Sequence, residues 1–371
     1  MSPRGAPTRR LWIALLPLLC VGGATWWWLR GSVPVTPLPS GGVAALSGLE
    51  ALARDFPPPA EGPLAWPGDH GAHAEQFVES WLFVGQLQDQ AGQRLGFQLL
   101  FQRLALAPDA GERESGWAAR EAWRARFTLQ PEAAEARVEE RLSRGALGLA
   151  GSSIESPGAW LEDWRFSLSP DGHGFELQAG TAGAGVVLEL RAPDHAPLPV
   201  TTDGAGAYRG YWWPGLSVSG TLTGTGAGRE VRGRAFLDHL WGRAQPVGRG
   251  QLALARMWLE GPDGDAWRCE QWRRRAGGGA PQTECMAHSS GSAAASAAGV
   301  ELAPEPRGHQ LIAGARLPLR WSMQVPGNPA PLRIAPLAAG AEDGVPGSWS
   351  GAVAGAMPGQ WGWLELSNFV P

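Results

Sequence analysis

A carboxylate falls on the aromatic face of a predicted β-strand. In residues 77–83 the side chains alternate so that Glu79 shares one face with Trp81 and Phe83. A carboxylate in apolar surroundings needs a partner, or it takes up a proton at a raised pKa. Glu79 is therefore predicted either to take part in proton chemistry or to form a buried ion pair with an arginine such as Arg103.

A second carboxylate shows the same pattern far along the chain. Asp238 shares its strand face with Phe236 and Leu240. His239 faces the other way. Two acids on apolar faces of two strands would form a proton-donating site inside a barrel. The alternative is that both are buried carboxylates neutralised by arginine.

A short loop carries two histidines beside an acid. Asp69, His70 and His73 have the H-x-x-H spacing of some metal sites, but no third ligand is indicated. A hydrogen-bonded structural loop is the favoured interpretation, and no metal is expected. The sequence also lacks a nucleophile elbow, a Walker loop and a dinucleotide fingerprint, so no cofactor is expected.

Two cysteines lie equally far on either side of Gly277. If the chain forms an antiparallel hairpin there, Cys269 and Cys285 lie opposite one another. Directly opposed residues can reach disulfide distance, provided that the compartment is oxidising. The pattern predicts a disulfide, and the alternative is two free buried thiols.

Composition limits the class of protein. The chain has 371 residues with 31 basic and 35 acidic side chains, for a net charge of -4. This mild acidity argues against a nucleic-acid partner, which needs a basic patch. Hydrophobic residues at 44% support folded cores, while 53 Gly and 32 Pro disfavour long helices.

The N-terminal segment has the pattern of a membrane-targeting sequence. An apolar run at residues 11–29 follows several arginines and ends in three tryptophans. It is long enough to cross a bilayer, with the bulk of the chain outside the cytoplasm. The alternative is a cleaved signal peptide. Residues 1–30 are thus predicted to be an anchor or signal, and the Pro-rich residues 31–68 a linker.

The rest of the chain reads as short strands. Period-2 alternation recurs, for example at Trp160, Trp164, Phe166 and Leu168, and Gly-rich turns separate the runs. Many short strands with such spacing predict a sandwich or an up-and-down barrel.

Several segments together resemble one family. Residues 69–73 (DHGAH), 79–85 (ESWLFVG), 96–103 (GFQLLFQR) and 236–242 (FLDHLWG) are similar to motifs of the secreted AttH and carotenoid 1,2-hydratase-like family. The resemblance implies an all-β fold, a tandem of two lipocalin-like (calycin-type) antiparallel β-barrels. Their expected bounds are 69–242 and 243–371, after the N-terminal helix.

The resemblance also implies a site. By position, Asp238 corresponds to the hydratase acid, and Phe236, Tyr211 and Trp213 line the cavity. A general acid would protonate an alkene carbon, aromatic rings would stabilise the cation, and water would add. The chain departs from the family pattern at three positions, which are Ser80, Leu82 and Leu240.

Three functions remain open from sequence. The first is a membrane-tethered, extracytoplasmic lipocalin-like protein that binds or hands over an apolar lipid or isoprenoid. The second is a hydro-lyase that adds water to an isoprenoid double bond through Asp238. The third is a partner of an ABC transporter permease that binds no ligand. All three place the protein on the periplasmic side of a bacterial inner membrane, held by residues 11–29, or secreted if the signal is cleaved.

Overall fold

The computed structural model describes residues 51–108, 120–132, 134–202, 208–224, 228–248, 250–289, 295–338, 341–342 and 345–369. From Leu52 onward the chain forms one compact unit. The predicted anchor at residues 11–29 and most of the linker lie outside the described ranges. Among the helices in those ranges, none has the length and apolar character needed to span a bilayer.

The first sheet contains twelve antiparallel strands and curls into a nearly closed barrel. Its strands are β1 (Val78–Asp89), β2 (Arg94–Ala105), β3 (Glu121–Pro131), β4 (Arg137–Ser143), β5 (Ala150–Ser153), β6 (Gly158–Leu161), β7 (Trp164–Leu168), β8 (Gly174–Thr181), β9 (Ala184–Arg191), β10 (Leu198–Thr202), β11 (Tyr208–Gly224) and β12 (Arg229–Gly242). The order is β4-β3-β2-β1-β12-β11-β9-β8-β7-β6-β5, and β10 pairs with β11.

The second half forms another nearly closed barrel of ten strands and a small two-stranded sheet. Its strands are β13 (Leu252–Glu260), β14 (Ala266–Arg274), β15 (Gln282–His288), β16 (Ala295–Ser296), β17 (Glu301–Pro304), β18 (His309–Ile312), β19 (Ala315–Pro318), β20 (Trp321–Gln324), β21 (Leu332–Pro336), β22 (Ala341–Glu342), β23 (Trp349–Gly355) and β24 (Trp361–Ser367). Strands β18 and β19 form the small sheet. The predicted all-β tandem of lipocalin-like barrels is confirmed.

Aromatic side chains fill the interior of the first barrel. One face of each strand supplies them, because side chains alternate along a strand. Trp81 and Phe83 from β1 and Trp213 from β11 belong to this core, and each is at most 6% exposed.

A second apolar layer joins the two barrels, and we call this contact the seam. It packs Trp212 and Phe236 of the first barrel against Trp258, Trp361 and other residues of the second. The ring of Phe236 stacks on that of Trp361, with centroids 4.6 Å apart.

The backbones also come close at the seam. A Cβ on Gly96 would lie only 2.3 Å from the Cβ of Ala352, so glycine is needed for this approach.

The hairpin of β14 and β15 brings its two cysteines together. Cys269 and Cys285 are register partners, their Cα atoms lie 4.2 Å apart, and they form a disulfide. The predicted disulfide is confirmed, and a bond of this kind is typical of proteins exposed to an oxidising compartment.

Candidate functional site

A polar cluster interrupts the aromatic core of the first barrel, and it consists of His73, Glu79, Arg103 and His239. Glu79 at its centre is 0% exposed. Its carboxylate accepts hydrogen bonds from His239 Nε2 at 2.9 Å, His73 Nδ1 at 2.8 Å and Arg103 Nε at 3.3 Å. The backbone N–H of His73 adds a further bond at 3.0 Å.

Strand register explains how distant residues meet in the polar cluster. In β1, Glu79 lies opposite Arg103 of β2 on one side and Trp241 of β12 on the other. His239 is two residues from Trp241 on the same strand face, so its ring also points into the barrel. The His73 ring stacks on Trp241 with centroids 3.7 Å apart, which fixes its position beside Glu79.

Residues 68–76, which we call the mouth loop, pack on the barrel core beside this cluster. The ring of His70 stacks on Trp213 with centroids 5.4 Å apart. Its Nδ1 lies 2.7 Å from the hydroxyl of Tyr211 and shares a hydrogen bond with it. The indole N–H of Trp81 donates to the His70 carbonyl at 3.3 Å. The mouth loop is therefore tied to three aromatic residues of the barrel wall.

Arg103 fastens the mouth loop to the cluster. It is 1% exposed. Besides Glu79, its guanidinium donates to the carbonyls of His73 at 2.5 Å and Gln76 at 3.1 Å, and to the Glu121 carboxylate at 3.0 Å. These acceptors offset the large cost of removing the guanidinium from water, and the arginine holds both the loop and the carboxylate in place.

The electrostatics of the polar cluster favour an ionised carboxylate. Burial alone would raise the pKa of Glu79, but hydrogen bonds from His239 and His73 and the charge of Arg103 outweigh it. The pKa of Glu79 therefore lies far below its usual range. Burial also acts against protonation of His73, yet the bond and charge of Glu79 and the charge of Asp69 raise the pKa of His73.

Two other histidines of the barrel stay neutral. Burial lowers the pKa of His239, although Glu79 opposes the shift. Burial and the neighbouring His239 lower the pKa of His70 to about 3. Since Nε2 of His239 carries the proton that bonds Glu79, its Nδ1 presents a lone pair. That atom is buried and has no hydrogen-bond partner in the described part of the chain.

Three of these side chains have the donor set of a metal site. One ligand atom each from His73, Glu79 and His239 lies within 4.8 Å of the others. However, the hydrogen bonds described above already occupy the carboxylate, and the Arg103 guanidinium is bonded to it. A metal ion would have to displace these partners against a fixed positive charge, so the arrangement fits a hydrogen-bonded cluster better than a cation site.

Asp238 lies on the opposite side of β12, in the seam. Its Oδ2 accepts from Trp258 Nε1 at 2.8 Å and from Arg268 Nε at 2.5 Å. Arg268 also donates to Glu270 at 2.8 Å. Burial would raise the pKa of Asp238, but the charges of Arg268 and Arg256 and these bonds lower it. This carboxyl group is therefore held ionised between the barrels.

The structure divides the predicted site residues into two groups. The barrel interior contains Glu79, Trp81, Phe83, Tyr211 and Trp213, and the mouth loop adds Asp69, His70 and His73. Asp238 and Phe236 lie outside this group. They share the seam face of β12, so Phe236 does not line a cavity with Tyr211 and Trp213.

Sequence reasoning did not single out His239 as a site residue. The sequence does contain a signal for His239, because this residue shares a strand face with Leu237 and Trp241 and therefore points to an aromatic side of the strand. An ion pair between Glu79 and Arg103 is the alternative that the sequence predicts for this carboxylate, and the structure contains this contact.

Comparisons with known proteins agree with this architecture. The AttH-like family model matches residues 57–368. The crystal structure of a candidate AttH protein from Nitrosomonas europaea superposes with a TM-score of 0.70 at 21% identity, covering 85% of this chain and 100% of the other. Kievitone hydratase from Nectria haematococca gives a TM-score of 0.54 at 11% identity, covering 84% and 98%.

A third similar structure is that of CghA. It gives a TM-score of 0.50 at 13% identity and covers 85% of this chain and 95% of the other. At these identities, the structural likeness shows the fold alone. Among curated proteins, none matches the sequence significantly.

Proposed function

The chain belongs to the AttH-like family, as its motifs predicted, and on this basis we propose a hydratase-type function for its first barrel. In this proposal the barrel takes up an apolar, unsaturated molecule of the lipid or isoprenoid class. The polar cluster and Tyr211 then add water to one of its double bonds.

The observation that carries the proposal is the state of His239. A neutral imidazole with one nitrogen fixed on a carboxylate and the other presenting a lone pair is the arrangement of a general base. Nothing in an aromatic core requires such a group. Burying a nitrogen without a hydrogen-bond partner costs stability. This cost is explained if the lone pair accepts a proton from a water molecule during the reaction.

Tyr211 supplies the proton donor of the proposed reaction. Burial raises the pKa of Tyr211 well above its usual value, so the phenol keeps its proton. Its ring lies 5.2 Å from that of His239, edge to face. A phenol is a weak acid, so it suits a double bond conjugated to a carbonyl, where it can donate to the oxygen while the water adds to carbon. An isolated alkene would need a stronger acid, and the carboxyl groups of Glu79 and Asp238 are both held ionised.

Admission of the ligand requires movement of the mouth loop. His70 and His73 of this loop occupy the end of the barrel, and each is bonded to a residue of the wall. Opening therefore breaks the hydrogen bonds that Tyr211, Glu79 and Arg103 make with the loop, and it leaves the strand pairing intact. Loops that close a site in this way also exclude water from it.

A simpler function, the carrying of a ligand without turnover, remains a second candidate. The aromatic lining supports it directly, since apolar rings bind lipids and polyenes without any acid or base. The same site serves both functions, and only the lone pair of His239 favours catalysis.

An experiment with labelled water separates the two. The purified protein is incubated with an apolar enone in ¹⁸O-water, and product mass is followed together with quenching of tryptophan fluorescence. Incorporation that is lost in His239→Gln, with binding retained, supports the hydratase. His309→Gln, which changes an exposed histidine of the second half, is the matched control. Binding without incorporation in the unaltered protein would leave the carrier function, and no binding would overturn both.

The location of the protein is a separate proposal. The apolar run at residues 11–29 supports an anchor in the inner membrane with the barrels on the periplasmic side. The disulfide supports an oxidising surrounding of this kind.

A further inference from the structure

Exposed apolar side chains gather on one part of the first barrel, near its mouth loop. Those that are at least 54% exposed form what we call the apolar rim, which consists of Leu142, Leu147, Leu149 and Ile154. Among the residues described, only two other large apolar side chains are exposed to this degree, and both belong to the second half of the chain, namely Leu311 and Val345. Single exposed apolar residues are ordinary on a protein surface, whereas a group of this kind indicates a contact surface.

Local structure places the apolar rim beside the mouth loop. Strands β4 and β5 are the two ends of the strand order in the first sheet, and residues 144–149 connect them. This connection folds onto the start of β5, since a Cβ on Gly145 would lie 3.3 Å from the carbonyl oxygen of Ala150. Ile154 follows β5, and its Cα would lie 3.5 Å from a Cβ on Gly71 of the mouth loop. The apolar rim therefore borders the loop that must move to admit a ligand.

The backbone at Leu147 is strained. Its φ of +56° and ψ of +23° lie in the left-handed region, which is unfavourable for a residue with a Cβ. Its neighbour Gly148 also has a positive φ, but glycine adopts this conformation freely. No packing in the core compensates for the strain at Leu147, because its side chain is exposed. Strain that presents an apolar side chain to the surroundings indicates that the side chain has a role at the surface.

The N-terminal part of the described chain packs at the same end of the barrel. The ring of Phe56 lies against that of Phe77, which precedes β1, with centroids 5.2 Å apart. The Phe56 carbonyl accepts a hydrogen bond at 2.8 Å from Nε of Arg243, which follows β12. Residues 30–50 thus lead from the predicted anchor to the mouth end of the barrel. A tether attached there keeps this end at a high effective concentration beside the bilayer.

We propose that the apolar rim contacts the surface of the lipid bilayer, so that the mouth loop opens toward the lipid. This inference rests on the proposed function, because an apolar ligand could then pass from the bilayer into the barrel without crossing water. Aliphatic side chains bind a membrane by insertion at the boundary between headgroups and acyl chains. Trp66 contacts His70 of the mouth loop, with ring centroids 4.5 Å apart, and is 39% exposed. It adds an aromatic ring of the kind enriched at membrane interfaces.

Charged groups beside the apolar rim are paired with one another. On β4, Arg141 forms ion pairs with Asp163 and, at 3.2 Å, with Glu162. Arg124 of β3 pairs with Glu140 of β4 at 2.6 Å. These pairs neutralise the arginines that would otherwise attract anionic headgroups. Contact with the bilayer is therefore expected to depend on apolar insertion, and salt should have little effect on it.

The test uses the full-length protein in phosphatidylcholine vesicles, either reconstituted or, if its N-terminal segment has been cleaved, added from solution. A nitrobenzoxadiazole label is attached to Leu147→Cys or Ile154→Cys in a Cys20→Ser background, where the other two cysteines are held in the disulfide. Leu311→Cys, an exposed leucine of the second half, is the matched control. Emission from positions 147 and 154 should shift to shorter wavelength and be quenched by doxyl-labelled lipid. Position 311 should show neither effect, and added phosphatidylglycerol or salt should change none of these signals.

Two outcomes overturn the proposal. One is emission at positions 147 and 154 that matches the emission at position 311, which would leave the apolar rim in water. The other is energy transfer between labelled copies without quenching by lipid, which would assign the rim to a second copy of this chain.

Failure of the proposed function is measured separately, from the quenching of tryptophan fluorescence by an apolar enone added in solution. If the label inserts but the enone does not quench, the ligand site is refuted and the membrane contact stands. If the enone quenches but the label stays in water, the ligand site stands and the membrane contact is refuted.

Discussion

Replacing Asp238 by alanine should weaken the seam rather than remove a proton donor. The carboxylate is 1% exposed and is paired with Arg268, which is 5% exposed. Removing one partner of a buried ion pair costs about 3–5 kcal/mol. Arg268 keeps its bond to Glu270 at 2.8 Å, so we expect the lower end, about 3 kcal/mol. At roughly 2–4 °C per kcal/mol, the thermal midpoint should fall by about 6–12 °C.

The assay is urea or thermal unfolding, with matched variants. Asp163→Ala removes a carboxylate whose side chain is 71% exposed and which pairs with Arg141, so it should cost at most about 1 kcal/mol. Asp238→Asn keeps the shape and an acceptor oxygen and should fall between the two. If Asp238→Ala unfolds like Asp163→Ala, the carboxylate does not hold the seam. If Asp238→Asn abolishes hydration without changing stability, Asp238 is the proton donor. This result would refute the assignment of the donor to the interior of the first barrel.

Four further outcomes are expected. Because the pKa of Glu79 is depressed in the folded protein, the stabilisation that its charge provides is present above about pH 4.3 and is lost as the pH falls below that value. In Glu79→Gln, acid unfolding followed by circular dichroism should therefore depend less steeply on pH. Cys285→Ser should lower the free energy of unfolding by roughly 3 kcal/mol, since the bond closes a loop across 16 positions, and denaturant curves with and without reductant measure this. Gly96→Val should destabilise the chain, because even a Cβ meets Ala352 at 2.3 Å; a thermal midpoint equal to that of the unaltered protein would contradict the close approach. Residues 11–29 should keep the protein in the membrane pellet after carbonate extraction, whereas a soluble periplasmic product would indicate a cleaved signal.

Alternation predicted the faces of β12 correctly but not which face is the interior. His239 and Asp238 point in opposite directions, as the sequence indicated. Both faces of this strand are buried, one by the barrel core and one by the second barrel. Two apolar strand faces look alike in a sequence. Period-2 alternation separates the two sets of side chains, but it does not indicate which set faces the barrel interior. Only the packing of the whole chain decides that His239 lies inside.

The register of the disulfide hairpin was predictable because it is local. Gly277 has a φ of +76°, which suits a turn, and equal counting from it pairs the cysteines. The longest strand was less predictable. The sequence predicts many short strands, whereas β11 runs over 17 residues from Tyr208 to Gly224 with an irregularity between Trp213 and Leu216. A bulge shifts the alternation, so the two parts look like separate segments.

In both sheets the first strand pairs with the last, and this has a kinetic consequence. Val78 at the start of β1 lies opposite Gly242 at the end of β12, and β13 pairs with β24 in the same way. Neither pairing can form until almost the whole barrel has been synthesised, because the two strands are so distant in the chain. Such non-local contacts fold slowly, and the waiting strands present unpaired edges. The edge of β1 therefore lacks its closing neighbour until β12 has been synthesised, which makes this edge the place where aggregation competes with folding.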